Sequence, residues 1–249
     1  MLLEKVNTQD CSEANQKLSN LTELNISFSK IINLKPLAEF TNLTTLYLHN
    51  NEVSDLKPLS SLTNLTYLAL RNNKITDIRP LANLTNLTTL GLRDNEISNV
   101  KPLSSLTNLT SLDLGDIDGH YGDNRITDLK PLANLTNLID LNLEGNQISD
   151  IKPLANLTKL NYLSLDENKI SDLKPIAGLT NLTKLYLSEN QISDVKPLAG
   201  LTKLTRLVLF ENQIIDIKPL ENLVNLDSLE FWRNKVTDIR PVANLTNLT

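Results

Sequence analysis

The sequence is poor in the residues that reaction chemistry usually needs. It holds one cysteine, Cys11, and two histidines, His49 and His120, in 249 residues. No disulfide can close within the chain, and no thiolate metal cluster can form. Aromatic residues make up 4 % of the chain, so leucine, isoleucine and valine must supply the core. An excess of one charge is also missing: 24 Lys+Arg face 29 Asp+Glu, a formal net charge of −5. That balance argues against nucleic acid and against an anionic membrane as partners. No apolar run reaches the length that crosses a bilayer. Met1 to Asp10 lacks the basic segment followed by an apolar segment of a secretory leader, so the cytoplasm is the default expectation for the chain as written. G-x-S-x-G and phosphate-loop motifs are absent, and neither enzymatic activity nor a cofactor is expected.

What the sequence has in abundance is self-similarity. After residue 20 it repeats L-x-x-L-x-L-x-x-N-x-I/V-x-D-I/L-K/R-P-L-x-x-L-T-N. Ten units start at Leu21, Leu43, Leu65, Leu87, Leu109, Leu138, Leu160, Leu182, Leu204 and Leu226. Nine have 22 residues. The fifth has 29, with seven extra residues between Leu114 and Asn124. Apolar positions 4 and 6 flank one variable residue, the period of a short strand with one buried face. Positions 1, 11, 14, 17 and 20 are apolar too. A single unit cannot bury so many apolar side chains, whereas stacked units bury them as one continuous core.

Position 9 is asparagine in nine units, from Asn51 to Asn234, with Ser29 in the first. The chain must turn sharply after each strand, and a short amide can pair the backbone groups left inside the coil. The Ser29 turn is expected to be looser. All ten prolines fall at position 16, where a missing N–H suits the first turn of a short helix. The Pro-Leu-Ala segments are too short for stable α-helix and read as 3-10 turns on the convex side. The strands are then parallel and in register on the concave side. At roughly 4.8 Å per strand the sheet extends about 45 Å.

The unit resembles the leucine-rich repeat, whose signature is L-x-x-L-x-L-x-x-N. The fuller stretches Ile148–Thr158 and Ile192–Thr202 are similar to the repeats of the bacterial internalins. The resemblance implies an α/β solenoid, a right-handed leucine-rich-repeat superhelix, that binds other proteins. Partners differ across that family, and its repeats are often carried by exported proteins.

The ends fall outside the pattern. Residues 1–20 read as an amphipathic helical cap, with Asp10 to Glu13 at capping-box spacing and Cys11 buried against the first repeat. Residues 21–249 form the array, which stops at Leu248-Thr249, the start of an eleventh unit. Terminal repeats usually need a polar cap. A fragment of a longer protein is therefore expected, with an open end able to self-associate end to end.

Three signals carry less than they first suggest. Position 15 is basic in every unit, yet eight units carry Asp at position 13, so the ridge reads as self-neutralising. The Asn-Leu-Thr triplets match a glycosylation acceptor but are the repeat consensus itself. The insert, residues 115–123, offers Asp116, Asp118 and Asp123 as oxygen ligands for Ca²⁺, with Asp113 nearby. No closing Glu follows, and a solvated loop is the simpler reading; a partner-contact loop is the third.

Function should lie at the positions the repeat leaves free, 3, 5, 7 and 8, which are expected to point from the concave sheet into solvent. Six of the ten aromatic residues occupy positions 3, 5 or 7: Tyr47, Tyr67, Tyr162, Tyr186, Phe210 and Trp232. Exposed aromatics on a rigid sheet are anchors of protein interfaces. The main expected contact cluster is Tyr162, Lys184, Tyr186, Arg206, Val208, Phe210, Glu230 and Trp232. The secondary one is Tyr47, His49, Tyr67, Arg71 and Arg93, the last two forming a basic column with His49. Glu144 and Asp166 form an acidic column just past the insert, carboxylates such as Asp140 and Asp166 read as ordinary surface charge, and Glu167, Glu189 and Glu211 as an acidic edge. Such a face expects a protein partner with an apolar centre and a basic flank. A sensor segment of a larger signalling protein and a glycan-binding adhesion module are the alternatives.

Overall fold

The computed structural model describes residues 20–116 and 124–249. The expected N-terminal cap with Cys11 lies outside them, as do Asp118 and Asp123 of the insert. Ten three-residue strands form one parallel sheet in chain order. They are β1 (Glu23–Asn25), β2 (Thr45–Tyr47), β3 (Tyr67–Ala69), β4 (Thr89–Gly91), β5 (Ser111–Asp113), β6 (Asp140–Asn142), β7 (Tyr162–Ser164), β8 (Lys184–Tyr186), β9 (Arg206–Val208) and β10 (Ser228–Glu230). Each strand pairs with the next at identical repeat positions, as in Leu185 with Leu207 and Tyr186 with Val208. Equivalent side chains therefore stack in columns, one strand spacing apart.

The buried face carries the leucine lattice. In the third unit Leu65, Leu68, Leu70, Ile75, Ile78, Leu81 and Leu84 are all at most 1 % exposed. The seven apolar positions read from the repeat are the seven that fill the coil. In the tenth unit Leu229, Phe231, Val236 and Val242 are only partly covered, and Ile239 is exposed, since among the described residues only the ninth coil stacks on them.

The position-9 amides bind adjacent coils together. Asn73 donates from Nδ2 to the carbonyls of Leu48 (3.0 Å) and Leu70 (2.9 Å), and its Oδ1 accepts the Val53 N–H (3.0 Å). The same three bonds recur around Asn95, Asn146, Asn168, Asn190 and Asn212. Asn124 rejoins this ladder beyond the insert, bonding Leu92 and Leu114 (both 3.1 Å). Gly115 and Asp116 still follow the sheet path, since the Asp116 N–H reaches the Glu144 carbonyl at 3.0 Å. In the first unit the turn differs at Lys30, whose φ is 53°, whereas the positive φ of Phe28, 54°, is shared with position 8 of most later coils.

Every proline opens a 3-10 turn, and each turn begins with the position-15 residue, as in Lys152–Leu154. The side-chain oxygen at position 13 accepts the N–H of residue 15 in all ten units, at 2.8–3.0 Å. Asn33 and Asn99 do this as well as Asp172 does. The expected self-neutralising ridge is therefore first a row of backbone caps. Among the described residues, only Arg79 and Arg240 also pair with their position-13 carboxylates, both at 2.7 Å. Those bonds hold Asp77 and Asp238 down at about 2. No helix among the described residues is long and apolar enough to cross a membrane.

Candidate functional site

Strand pleating turns positions 3, 5 and 7 to the open face of the sheet, and the columns fix which of them touch. Phe210 and Trp232 follow β9 and β10 at position 7. Their rings stack with centroids 4.3 Å apart and planes 6° off parallel. Trp232 remains 49 % exposed. Its ring also lies 5.1 Å from the Arg233 guanidinium, which pairs with Glu211. Tyr162, at position 3, meets Tyr186, at position 5 of the next coil, at 5.4 Å, and Arg206 lies 5.7 Å above the Tyr186 ring. Arg206 is held from its other partner, Glu230, at 2.9 Å. Lys184 is exposed beside them. The structure thus gathers the main expected cluster on one continuous patch, but Val208 is only 4 % exposed and lies below it rather than on it.

Beside the stack the face hollows into a groove of about 240 Å³, lined by Tyr186, Phe210 and Val208 and by acidic side chains. Asp166 lies at its base. It is only 8 % exposed, which corrects its reading as ordinary surface charge. The Ser188 N–H (2.7 Å), the Ser188 hydroxyl and the Ser164 hydroxyl (3.0 Å) donate to its oxygens. Burial nonetheless pushes its carboxyl above the usual aspartate range, the donors only partly offsetting that rise. Burial raises Glu144 too, against the pull of Arg93. The Tyr162 phenol is pushed up to about 12, again chiefly by burial.

The acidic edge has a backbone signature. Position 8 adopts the left-handed conformation, where Asn50, Asn72, Asp94 and Gly145 fit readily. Glu167, Glu189 and Glu211 hold the same conformation at φ 52–54°, which disfavours side chains of their kind.

The expected basic column is not a free one. Arg71 pairs with Asp94 at 3.0 Å. Arg93, with a side chain only 13 % exposed, reaches Asp94 (3.7 Å), Glu144 (3.3 Å) and the Asp116 carbonyl (3.0 Å). It thereby spans the fifth unit to reach the sixth; position 7 of the fifth unit is Gly115, where an added Cβ would meet the Asn142 side chain at 2.7 Å. His49 accepts or donates a bond with Ser27 Oγ at 2.9 Å, and burial, then Arg71, lowers its pKa below the ordinary value. Both effects favour the neutral imidazole. Tyr47 and Tyr67 pack at 5.0 Å, and Tyr47 lies 6.4 Å from His49. Of the Ca²⁺ candidates only Asp116 is described, and it is buried. Among the described residues no three His, Cys, Asp or Glu side chains converge to hold a metal.

A family model described as leucine-rich repeats (two copies) matches residues 41–83, 85–134, 120–156, 136–178, 158–200 and 180–222. An internalin (inlF) from Listeria monocytogenes superposes with a TM-score of 0.82 at 36 % identity, over 99 % of this chain and 78 % of that one. The chain belongs to the internalin family of leucine-rich-repeat proteins. A second internalin of that organism, internalin C2, matches at 33 % identity and TM-score 0.63, over 90 % of this chain and 88 % of its own. A plant peptide hormone receptor, RGFR1, shares the fold alone, at 24 % identity and TM-score 0.72 over 94 % of this chain and 44 % of its own. No curated protein matches by sequence. Internalin-type solenoids are typically scaffolds that bind other proteins.

Within this internalin, sequence reasoning missed Phe28. It is 74 % exposed and packs edge-on to His49 at 5.2 Å, extending the secondary cluster by one coil. Its signal was a large aromatic at position 8, where the next coils have Asn50 and Asn72. Arg233 was missed for the same reason, since position 8 was read only for its acids. Ser164 and Ser188 were missed because small hydroxyls at free positions carry no periodic mark.

Proposed function

We propose that this internalin is a non-enzymatic protein-binding module whose main contact surface is the C-terminal part of the open face. The stacked, half-exposed Phe210–Trp232 pair carries this reading. A tryptophan left in water on a rigid sheet forgoes a large burial gain unless a partner covers it. Tyr162, Lys184, Tyr186, Arg206 and Glu230 surround that anchor, giving an apolar centre with a polar rim. Val208 supports it from beneath. Tyr47, Tyr67, His49 and Phe28 form a secondary aromatic patch toward the other end, where Arg71 and Arg93 serve internal ion pairs.

The test is affinity capture with the whole chain, wild type beside a Tyr186→Ala/Phe210→Ala/Trp232→Ala variant. These side chains are outside the leucine lattice, so circular dichroism and melting curves should match. A protein held by wild type and lost by the variant is the expected result. Equal capture by both would move the site to the Phe28 patch or the convex ridge.

A further inference from the structure

The groove beside the aromatic stack has an uneven charge. Five carboxylates line it, from Glu144, Asp166, Glu167, Glu189 and Glu230, and Arg206 is the one basic residue in the lining. Arg93 adds a second cation from outside, at Glu144. Among the described residues, acidic side chains outnumber basic ones around this groove of about 240 Å³. The acids also repel one another, since Asp166 and Glu167 both oppose ionisation of Glu144. The walls are the Tyr186 and Phe210 rings with Val208 between. Arg206 shows what this combination accepts: its guanidinium lies over the Tyr186 ring and against Glu230, using ring and carboxylate together.

Resting on the reading of this face as the binding surface, we infer that the protein partner inserts a lysine or arginine side chain into this groove. An apolar residue next to that cation lies on the Phe210–Trp232 stack. The occupant is the charge complement of the groove: an alkyl stem suits the aromatic walls, and a cationic head suits the carboxylates around them.

A random-peptide library displayed on phage and panned on the whole chain tests both levels. Peptides rich in Lys or Arg beside an apolar residue are expected. Replacing the basic residue by norleucine in a recovered peptide should weaken binding about tenfold or more. The exposed, same-shaped variant Glu167→Gln/Glu189→Gln should do the same, and salt should shrink the difference. Peptides lost by Phe210→Ala/Trp232→Ala, yet without basic residues and indifferent to the Gln variant, would overturn the cation groove and leave the binding face standing. Peptides that bind every variant equally, or no recovered peptide, would overturn both. Spermidine binding alone, lost in the Gln variant while basic peptides fail to bind, would replace the protein cation by a small polyamine.

Discussion

Where position 9 is asparagine, a single amide carries three bonds that tie neighbouring coils together. Asn168 pairs the Ile148 N–H and the carbonyls of Leu143 and Leu165. Asn168→Ala leaves all three without a partner in a dry interior, so a loss of about 3 kcal/mol is expected in urea unfolding. A loss under about 0.5 kcal/mol would mean that water replaces the amide. Asp166 acts in the opposite sense. Its folded-state pKa lies above that of the unfolded chain, so its contribution to stability is full below the ordinary aspartate range and is lost as pH rises through the raised value. Asp166→Asn should therefore lose less stability than wild type between about pH 4 and pH 8. Superimposable pH profiles of the melting midpoint would show an ordinarily solvated carboxylate. The roles of these two residues were unequally legible in the sequence. Asn168 recurs with the period, and its place inside the turn follows from that. The burial of Asp166, Val208 and Arg93 does not, because it depends on the neighbouring coils: Arg93 reaches Glu144 and the Asp116 carbonyl, and Ser164 and Ser188 close over Asp166.

The short convex turns are set by the cap and the proline rather than by ion pairing. Asp172 accepts the Lys174 N–H at 3.0 Å, and Asn99 does the same for Lys101. Asp172→Asn should leave the melting midpoint unchanged, while Asp172→Ala should cost about 1 kcal/mol. A cost from the Asn change as large as that from Ala would return the ridge to electrostatics. The strands were fully legible as elements, since alternating apolar positions around one free residue admit few other structures. The detail of their open face was not, because rings meet across adjacent coils both at the same position, as Phe210 and Trp232 do, and at different ones, as Tyr162 and Tyr186 do.

Across the whole molecule each coil packs on its neighbours alone, so cohesion is a chain of similar interfaces. Leu141 in β6 is fully buried at the middle of the array. Leu141→Ala should cost about 3 kcal/mol. Because a linear array can divide there, hydrogen exchange should reveal a form in which one half stays protected while the other exchanges. A single cooperative loss of protection over the full length would show coupling that extends well beyond adjacent coils.

The fifth unit has seven residues more than the others, yet Asp116 still donates to the Glu144 carbonyl and Asn124 still bonds Leu92 and Leu114. The residues on either side of the extra length are held by the same hydrogen bonds as in the other coils. That length is thereby uncoupled from the phase of the array. The position works as an exchange port: a foreign peptide of another length could be grafted between these two residues, and all the coils after it would keep their register.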